Sequence, residues 1–156
     1  MAVEIVLFEP EIPPNTGNIA RTCALTGTRL HLIKPLGFDI DDRTLKRAGL
    51  DYWHFLDLEV HESLEDFLRT QGGKRIFLST TKGDLRHSDC DFTGDVMIVF
   101  GKETSGLPSS LHEKYAGSRF RIPMGGHPDL RSLNLSNAVA IVLYEALRQQ
   151  EYKSLV

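Results

Sequence analysis

Two periods of apolar residues alternate along the chain. Short runs rich in branched residues, "VEIVLF" (3–8), "LHLI" (30–33), "RIFLST" (75–80), "DVMIVFG" (95–101) and "RFRIPM" (119–124), predict strands, and "LEV" (58–60) predicts a brief one. Helical spacing separates them. In 13–27, Ile19, Ala20, Cys23 and Ala24 share a face, Asn15 stands where an N-cap would, and Gly27 is a stop signal. A short charged helix is expected over 41–49, and a helix over 63–71 with a capping-box spacing from Ser63 to Asp66. Another covers 108–115, with Pro108 near its start. Strands separated by helices imply right-handed crossovers, hence an α/β domain with a mostly parallel sheet and helices on both faces.

The last helix is unusual. From Asn137 onward, Val139, Val142, Leu143 and Ala146 form one apolar stripe, and Ala140, Ile141, Tyr144 and Leu147 extend it to a second side. A surface helix ordinarily has a single apolar stripe. Either the chain buries both sides itself or another molecule covers the second, and periodicity leaves both open. The polar stretch "RSLNLS" (131–136) precedes this helix and suits a strand poorly.

Composition narrows the class. The chain has 156 residues, read as a single domain over 1–156, and 41% of them are hydrophobic, enough for one core. No apolar run approaches the length of a membrane span, and the N-terminus reads as a strand, not a signal peptide. Cys23 and Cys90 show neither pairing nor metal-ligand spacing, which fits a reduced, cytoplasmic protein, and Cys23 falls on an apolar helix face as a core residue would. The net charge of −3 argues against bulk nucleic-acid binding, so any such function must rest on local patches.

Three strand ends carry polar loops containing glycine: "FLSTTKG", "VFGKETSGLP" and "RIPMGGHPDLRSLNLS". Ligands of parallel sheets sit beyond the carboxyl ends of strands, and glycine lets backbone approach a ligand closely. The chain has no G-x-G-x-x-G, no complete P-loop, no zinc helix and no nucleophile elbow. In "NTGNIAR", Asn15 and Arg21 frame a stretch in which Asn18 and Arg21 share a face, and Glu103 follows a buried strand. Singly, these residues read as a cap, a solvated charge and a loop acid. Together with the three loops they suggest a site.

Three segments, "PNTGNIARTC" (14–23), "IVFGKETSGLP" (98–108) and "IPMGGHPDLRSLNLSNAVAIVLYEA" (122–146), resemble the three motifs of the SPOUT superfamily of RNA methyltransferases. The resemblance spans nearly the whole chain. The short length and the "LFEPEIPPNTGNIAR" start are most similar to the tRNA 2′-O-methyltransferases that act on nucleotide 34. It implies a C-terminal trefoil knot, a homodimer through the last and first helices, S-adenosylmethionine as cofactor and no metal in the reaction. It places the cofactor at Ser79, Gly101, Ile122 and Ser132, with Leu78, Met124 and Leu133 as neighbours. It gives the decisive catalytic role to Arg21. Asn15 and Asn134 would position the ribose or the arginine, and Glu103 would orient the arginine or organise the cofactor loop. A relative acting on another tRNA or rRNA position would share every motif residue, and a non-catalytic RNA-binding module could keep the fold.

For the anticodon loop, Arg43, Lys46 and Arg47 lie within a short helix, followed by Tyr52, Trp53 and His54. Phosphates take basic residues and splayed bases stack on rings. A solvated helix with aromatic anchors into the core has the same pattern. Arg86, His87 and Arg131 are further candidates.

Overall fold

Every strand in a parallel sheet ends at the same edge, and this decides where the site lies. The computed structural model describes residues 2–156 except 42, 44–46, 48, 49 and 72, and the side chains of 50 and 51 are not described. The strands are β1 (Ala2–Phe8), β2 (Leu30–Ile33), β3 (Leu58–His61), β4 (Arg75–Ser79), β5 (Leu85–Arg86), β6 (Asp95–Phe100) and β7 (Arg119–Arg121). They form one sheet in the order β3-β2-β1-β6-β4-β7-β5, and each of its pairings is parallel. The helices are α1 (Pro13–Thr26), α2 (Leu64–Thr70), α3 (Ser109–Lys114) and α4 (Leu135–Gln149).

Strand alternation sends successive residues to opposite faces. On one face Val3, Ile5 and Leu7 of β1 pack with Ile19, Ala20 and Cys23 of α1 and with Val139, Val142, Leu143 and Ala146 of α4. On the other, Val6 and Phe8 pack with Phe67 of α2 and Leu111 of α3. Both faces are therefore covered, as the strand–helix alternation implies. Burial pushes the Cys23 thiol up to about 12, so it is an inert core residue. No helix among the described residues is long and apolar enough to cross a membrane.

The departures from pattern have local causes. Asn15 is not the cap of α1: the cap position is Ile12, which makes no side-chain cap bond, and Pro13 and Pro14 open the helix. Two prolines remove two of the donors that a cap would serve. Gly27 does end the helix, in the left-handed conformation with φ 67°, and Ser63 Oγ accepts the Asp66 N–H at 3.1 Å as the spacing predicts. β7 stops at Arg121, two residues before Pro123, which has no N–H to give a ladder. The two-residue β5 is too short to leave a periodic signature. In the basic stretch, Arg43 and Arg47 are helical and exposed, Lys46 lies outside the described residues, and a 3-10 segment follows over Leu50–Phe55.

α4 begins two residues before Asn137 because Asn134 caps it: Oδ1 accepts the N–H of Ser136 at 2.9 Å and of Asn137 at 3.4 Å. Its second apolar side is only partly covered. Leu147 is buried, whereas Ile141 and Tyr144 remain 40% and 47% exposed.

Phe92 is fully buried between Phe77 and Phe120, edge-on to each at 5.0 and 5.6 Å between ring centres. Phe92→Ala should destabilise the fold by about 3–5 kcal/mol, the cost of a large aromatic cavity. The shift of the urea unfolding midpoint measures it, and a loss below about 1 kcal/mol would mean that the core collapses around the gap.

Candidate active site

The loops after β4, β6 and β7 meet the start of α1 around a cleft of about 630 Å³. This is a size that suits a small ligand. One wall is apolar, with Ile122, Met124, Leu133, Leu135 and Ala138, and another is polar backbone and hydroxyls over Ser79–Thr81 and Gly101–Gly106. Lys82, Lys102, Arg121 and Arg131 add positive charge to the lining, against one carboxylate, Glu103. This local excess of cations lies on a chain with net charge −3.

Hydrogen bonds tie the β6 loop to the β1–α1 loop. Glu103 Oε2 accepts the Glu11 N–H at 2.9 Å, and Oε1 accepts the Ile12 N–H at 3.2 Å. In return Glu11 Oε1 accepts the Thr104 N–H at 3.1 Å and its hydroxyl at 2.7 Å. These bonds hold the Glu11 carboxyl below its usual range, with the Thr104 hydroxyl as the largest cause. Lys102 Nζ reaches Glu9 Oε1 at 3.4 Å. Glu103 therefore holds the entry to α1, where the two prolines leave no side-chain cap.

A second tie joins α1 to α4. Asn134 Nδ2 donates to Asn15 Oδ1 at 3.0 Å, while its Oδ1 caps α4. Asn15 is 7% exposed and lines the cleft. Two helices that begin 122 residues apart are thereby registered at one edge of the cleft.

Gly101 is a steric requirement. A Cβ there would lie 2.4 Å from the Gly106 carbonyl carbon and 2.8 Å from the Leu107 nitrogen. The turn 101–107 folds back on itself only because no side chain intervenes, and the paired N–H···O bonds between Lys102 and Gly106 close it.

Of the sites expected from sequence, the structure brings Asn15, Ser79, Gly101, Glu103, Ile122, Met124, Ser132, Leu133 and Asn134 to the cleft. Leu78 does not line it: its side chain is fully buried in the core under α2 and α3, because strand alternation turns it away from Ser79. Arg21 does not line it either. It lies six residues along α1 from Asn15, about 9 Å along the axis, with its guanidinium 5.0 Å from the Tyr52 ring centre. Among the described residues it has no hydrogen-bond acceptor and no carboxylate partner. Sequence reading missed Thr80, Thr81, Lys82, His112 and Arg121 as lining residues. Lys82 belongs to a glycine-containing loop and so carried a signal; His112 sits on a short surface helix and carried none.

The family model of the SpoU rRNA Methylase family matches residues 2–144. The chain belongs to the SpoU rRNA Methylase family. This SpoU chain is 52% identical to the tRNA (cytidine(34)-2'-O)-methyltransferase of Methylovorus glucosotrophus, over 98% of its own length and 99% of the relative's. A solved structure concerned with the 2-OH methylation of C/U34 on tRNA matches it with a TM-score of 0.91 at 42% identity, covering 96% of this chain and 97% of that one. The SpoU methyltransferase AviRb from Streptomyces viridochromogenes, solved with the cofactor AdoMet, matches at 27% identity and TM-score 0.83, covering 96% of this chain and 58% of that one.

Gly101→Ala should displace Gly106–Leu107 and deform the cleft. Overpacking strain of about 1–3 kcal/mol should lower the urea unfolding midpoint accordingly. An unchanged midpoint would show that the turn tolerates a side chain.

Proposed function

We propose that this chain transfers the methyl group of S-adenosylmethionine to the ribose 2′-oxygen of nucleotide 34, the wobble position, in tRNA. One observation carries this reading: the cleft draws together residues of all three motif segments in a chain that aligns end to end with wobble-position methyltransferases. The cleft fits the cofactor on its own terms, with an apolar slot for a base, a glycine turn that admits close backbone approach and Ser132 and Asn134 hydroxyl and amide groups at its rim. Ser79, Gly101, Ile122, Met124, Ser132 and Leu133 hold it. When bound, S-adenosylmethionine supplies an electrophilic methyl on a sulfonium.

The ribose hydroxyl is a poor nucleophile, and negative charge grows on its oxygen as its proton passes to solvent water. Arg21 stabilises that charge and clamps a neighbouring phosphate. A guanidinium stays protonated, so this role is electrostatic and not that of a base. Asn15, fixed by Asn134, positions the ribose edge, and Glu103 sets the loop that carries Gly101.

The protein works as a cytoplasmic homodimer of single-domain chains, each with its C-terminal segment threaded as a trefoil knot. The dimer forms through α1 and α4, whose exposed Leu25, Ile141 and Tyr144 await cover. In that arrangement Arg21, which shares a helix face with Leu25 and lies outside its own cleft, serves the cleft of the partner. The anticodon loop docks on Arg43, Lys46 and Arg47, with the 79%-exposed Phe55 ring available for base stacking.

Two outcomes are expected. Tyr144→Asp places a charge on the dimer face and should weaken the dimer by several kcal/mol, seen as monomer in light scattering; an unchanged dimer removes α4 from the interface. Arg21→Ala should keep fold and cofactor binding, and lower single-turnover methyl transfer to position 34 by about 10²-fold or more at saturating enzyme, with little recovery in Arg21→Lys. A wild-type rate in Arg21→Ala, or methyl groups mapped elsewhere in the RNA, would overturn the proposal.

A further inference from the structure

The half of the sheet away from the cleft holds a polar cluster that methyl transfer does not use. On the face covered by α2, Glu4 of β1, His31 of β2, and Glu59 and His61 of β3 point to the same side. His31 is fully buried, and Glu4 and His61 are each 6% exposed. His31 Nε2 lies 2.8 Å from Glu4 Oε1, and Lys74 Nζ lies 2.6 Å from the other Glu4 oxygen. His31 Nδ1 lies 2.9 Å from His61 Nε2. The Glu59 carboxylate faces both rings, at 3.7 Å from His31 Nδ1 and 4.0 Å from His61 Nε2. Phe67 closes the site edge-on to each imidazole.

We propose that His31 Nδ1, His61 Nε2 and the Glu59 carboxylate bind one divalent metal ion of the zinc class. The three donor atoms lie within 4.8 Å of one another. Two nitrogens 2.9 Å apart subtend about 90° at an ion with ordinary metal–nitrogen bonds near 2.1 Å. Two imidazoles and a carboxylate suit zinc and its neighbours in the first transition row better than magnesium or calcium.

The surroundings match what a metal-bound histidine needs. A ligating imidazole usually donates its other N–H to a carboxylate, which fixes the tautomer. Glu4 provides that acceptor: the His31 hydrogen bond, the largest cause, holds its pKa down at about 2, so it is ionised. With Nε2–H given to Glu4, His31 turns its Nδ1 toward His61. Without metal, one proton on His61 Nε2 bridges the two rings. An entering ion takes that place while the proton moves to His61 Nδ1, so no charge is left unbalanced on the ring. Glu59 accepts no hydrogen bond among the described residues, so its lone pairs are unspent. Among the described residues its ion-pair partner besides the two rings is Arg29, at 3.6 Å, and Arg29 holds Asp57 more closely, at 2.9 Å. Glu59 is 42% exposed, which gives the ion an entry path and room for water ligands.

Such an ion would fasten the edge strand β3 to β2 and fix both ends of the segment 34–57, which carries Arg43, Arg47 and Phe55. Its role is structural and separate from the cleft.

The test is titration of the full-length protein, first stripped with EDTA, with zinc chloride by calorimetry, and with cobalt(II) followed by visible absorption. One Zn²⁺ per chain is expected, with ligand-field bands for cobalt and a raised melting temperature. Glu59→Gln, at a half-exposed position that leaves the fold intact, and His61→Asn should each weaken Zn²⁺ by at least the roughly 10–100-fold typical of losing even a supporting partner. His127→Ala, on an exposed loop, should not. Absence of Zn²⁺ binding, or binding that survives both Glu59→Gln and His61→Asn, would overturn the proposal and leave the cluster as a buried hydrogen-bonded pair.

Discussion

β1 and β6 run side by side in the middle of the sheet, and the loops that leave them are bound to each other by a reciprocal exchange: Glu103 takes the N–H groups of Glu11 and Ile12, and Glu11 takes both donors of Thr104. The rest of the cleft depends on this exchange. It fixes where α1 begins, and therefore where Asn15 stands. It also holds the turn 101–107, whose backbone forms one wall. The Glu103 carboxylate is bonded to backbone donors just ahead of the two prolines that open α1, and the Glu11 carboxylate to donors of the 101–107 turn.

Asn134 links the two long helices by dividing its amide. Its oxygen caps α4 and its nitrogen holds Asn15. A side chain that is both cap and cross-link couples the stability of α4 to the shape of the cleft. The same helix leaves Ile141 and Tyr144 in solvent beside α1, whose Leu25 is also exposed. The exposed apolar side chains and the Arg21 guanidinium, which among the described residues has no carboxylate partner, thus belong to the same pair of helices.

The sheet divides its work. The loops of β4, β6 and β7 build a cleft with a cationic lining on an acidic chain, so attraction for a polyanion is local and not global. The β1–β3 half buries the Glu4 carboxylate and two imidazoles in mutual contact, with the half-buried Lys74 ammonium against Glu4, and burying such groups is costly unless each is paired. Those groups lie on adjacent strands in register, His31 opposite Glu59, so the pairing is a property of the sheet and not of any loop.

The sequence by itself determined the alternation of strands and helices, the parallel sheet, the Gly27 stop and the Ser63 cap, because these follow from local periodicity and local backbone chemistry. It also marked the three loops, and the motif resemblance named Asn15, Ser79, Gly101, Glu103, Ile122, Met124, Ser132, Leu133 and Asn134 among the residues that line the cleft. Tertiary structure alone decided the remainder, since it depends on residues brought together from far apart. Asn15 reads as a cap from its neighbours, yet its partner is 119 residues away and the donors near it are served by Glu103. Leu78 belongs beside Ser79 in sequence, but the pleat sends it into the core. β5 is too short to have a period, and Arg121 reaches the cleft only because β7 pairs with β4. Glu4, His31, Glu59 and His61 come from three separate strands, and no spacing in the chain announces them as one cluster. Pattern reports what a residue does to its own segment; contacts between distant segments are fixed only when the sheet sets their register.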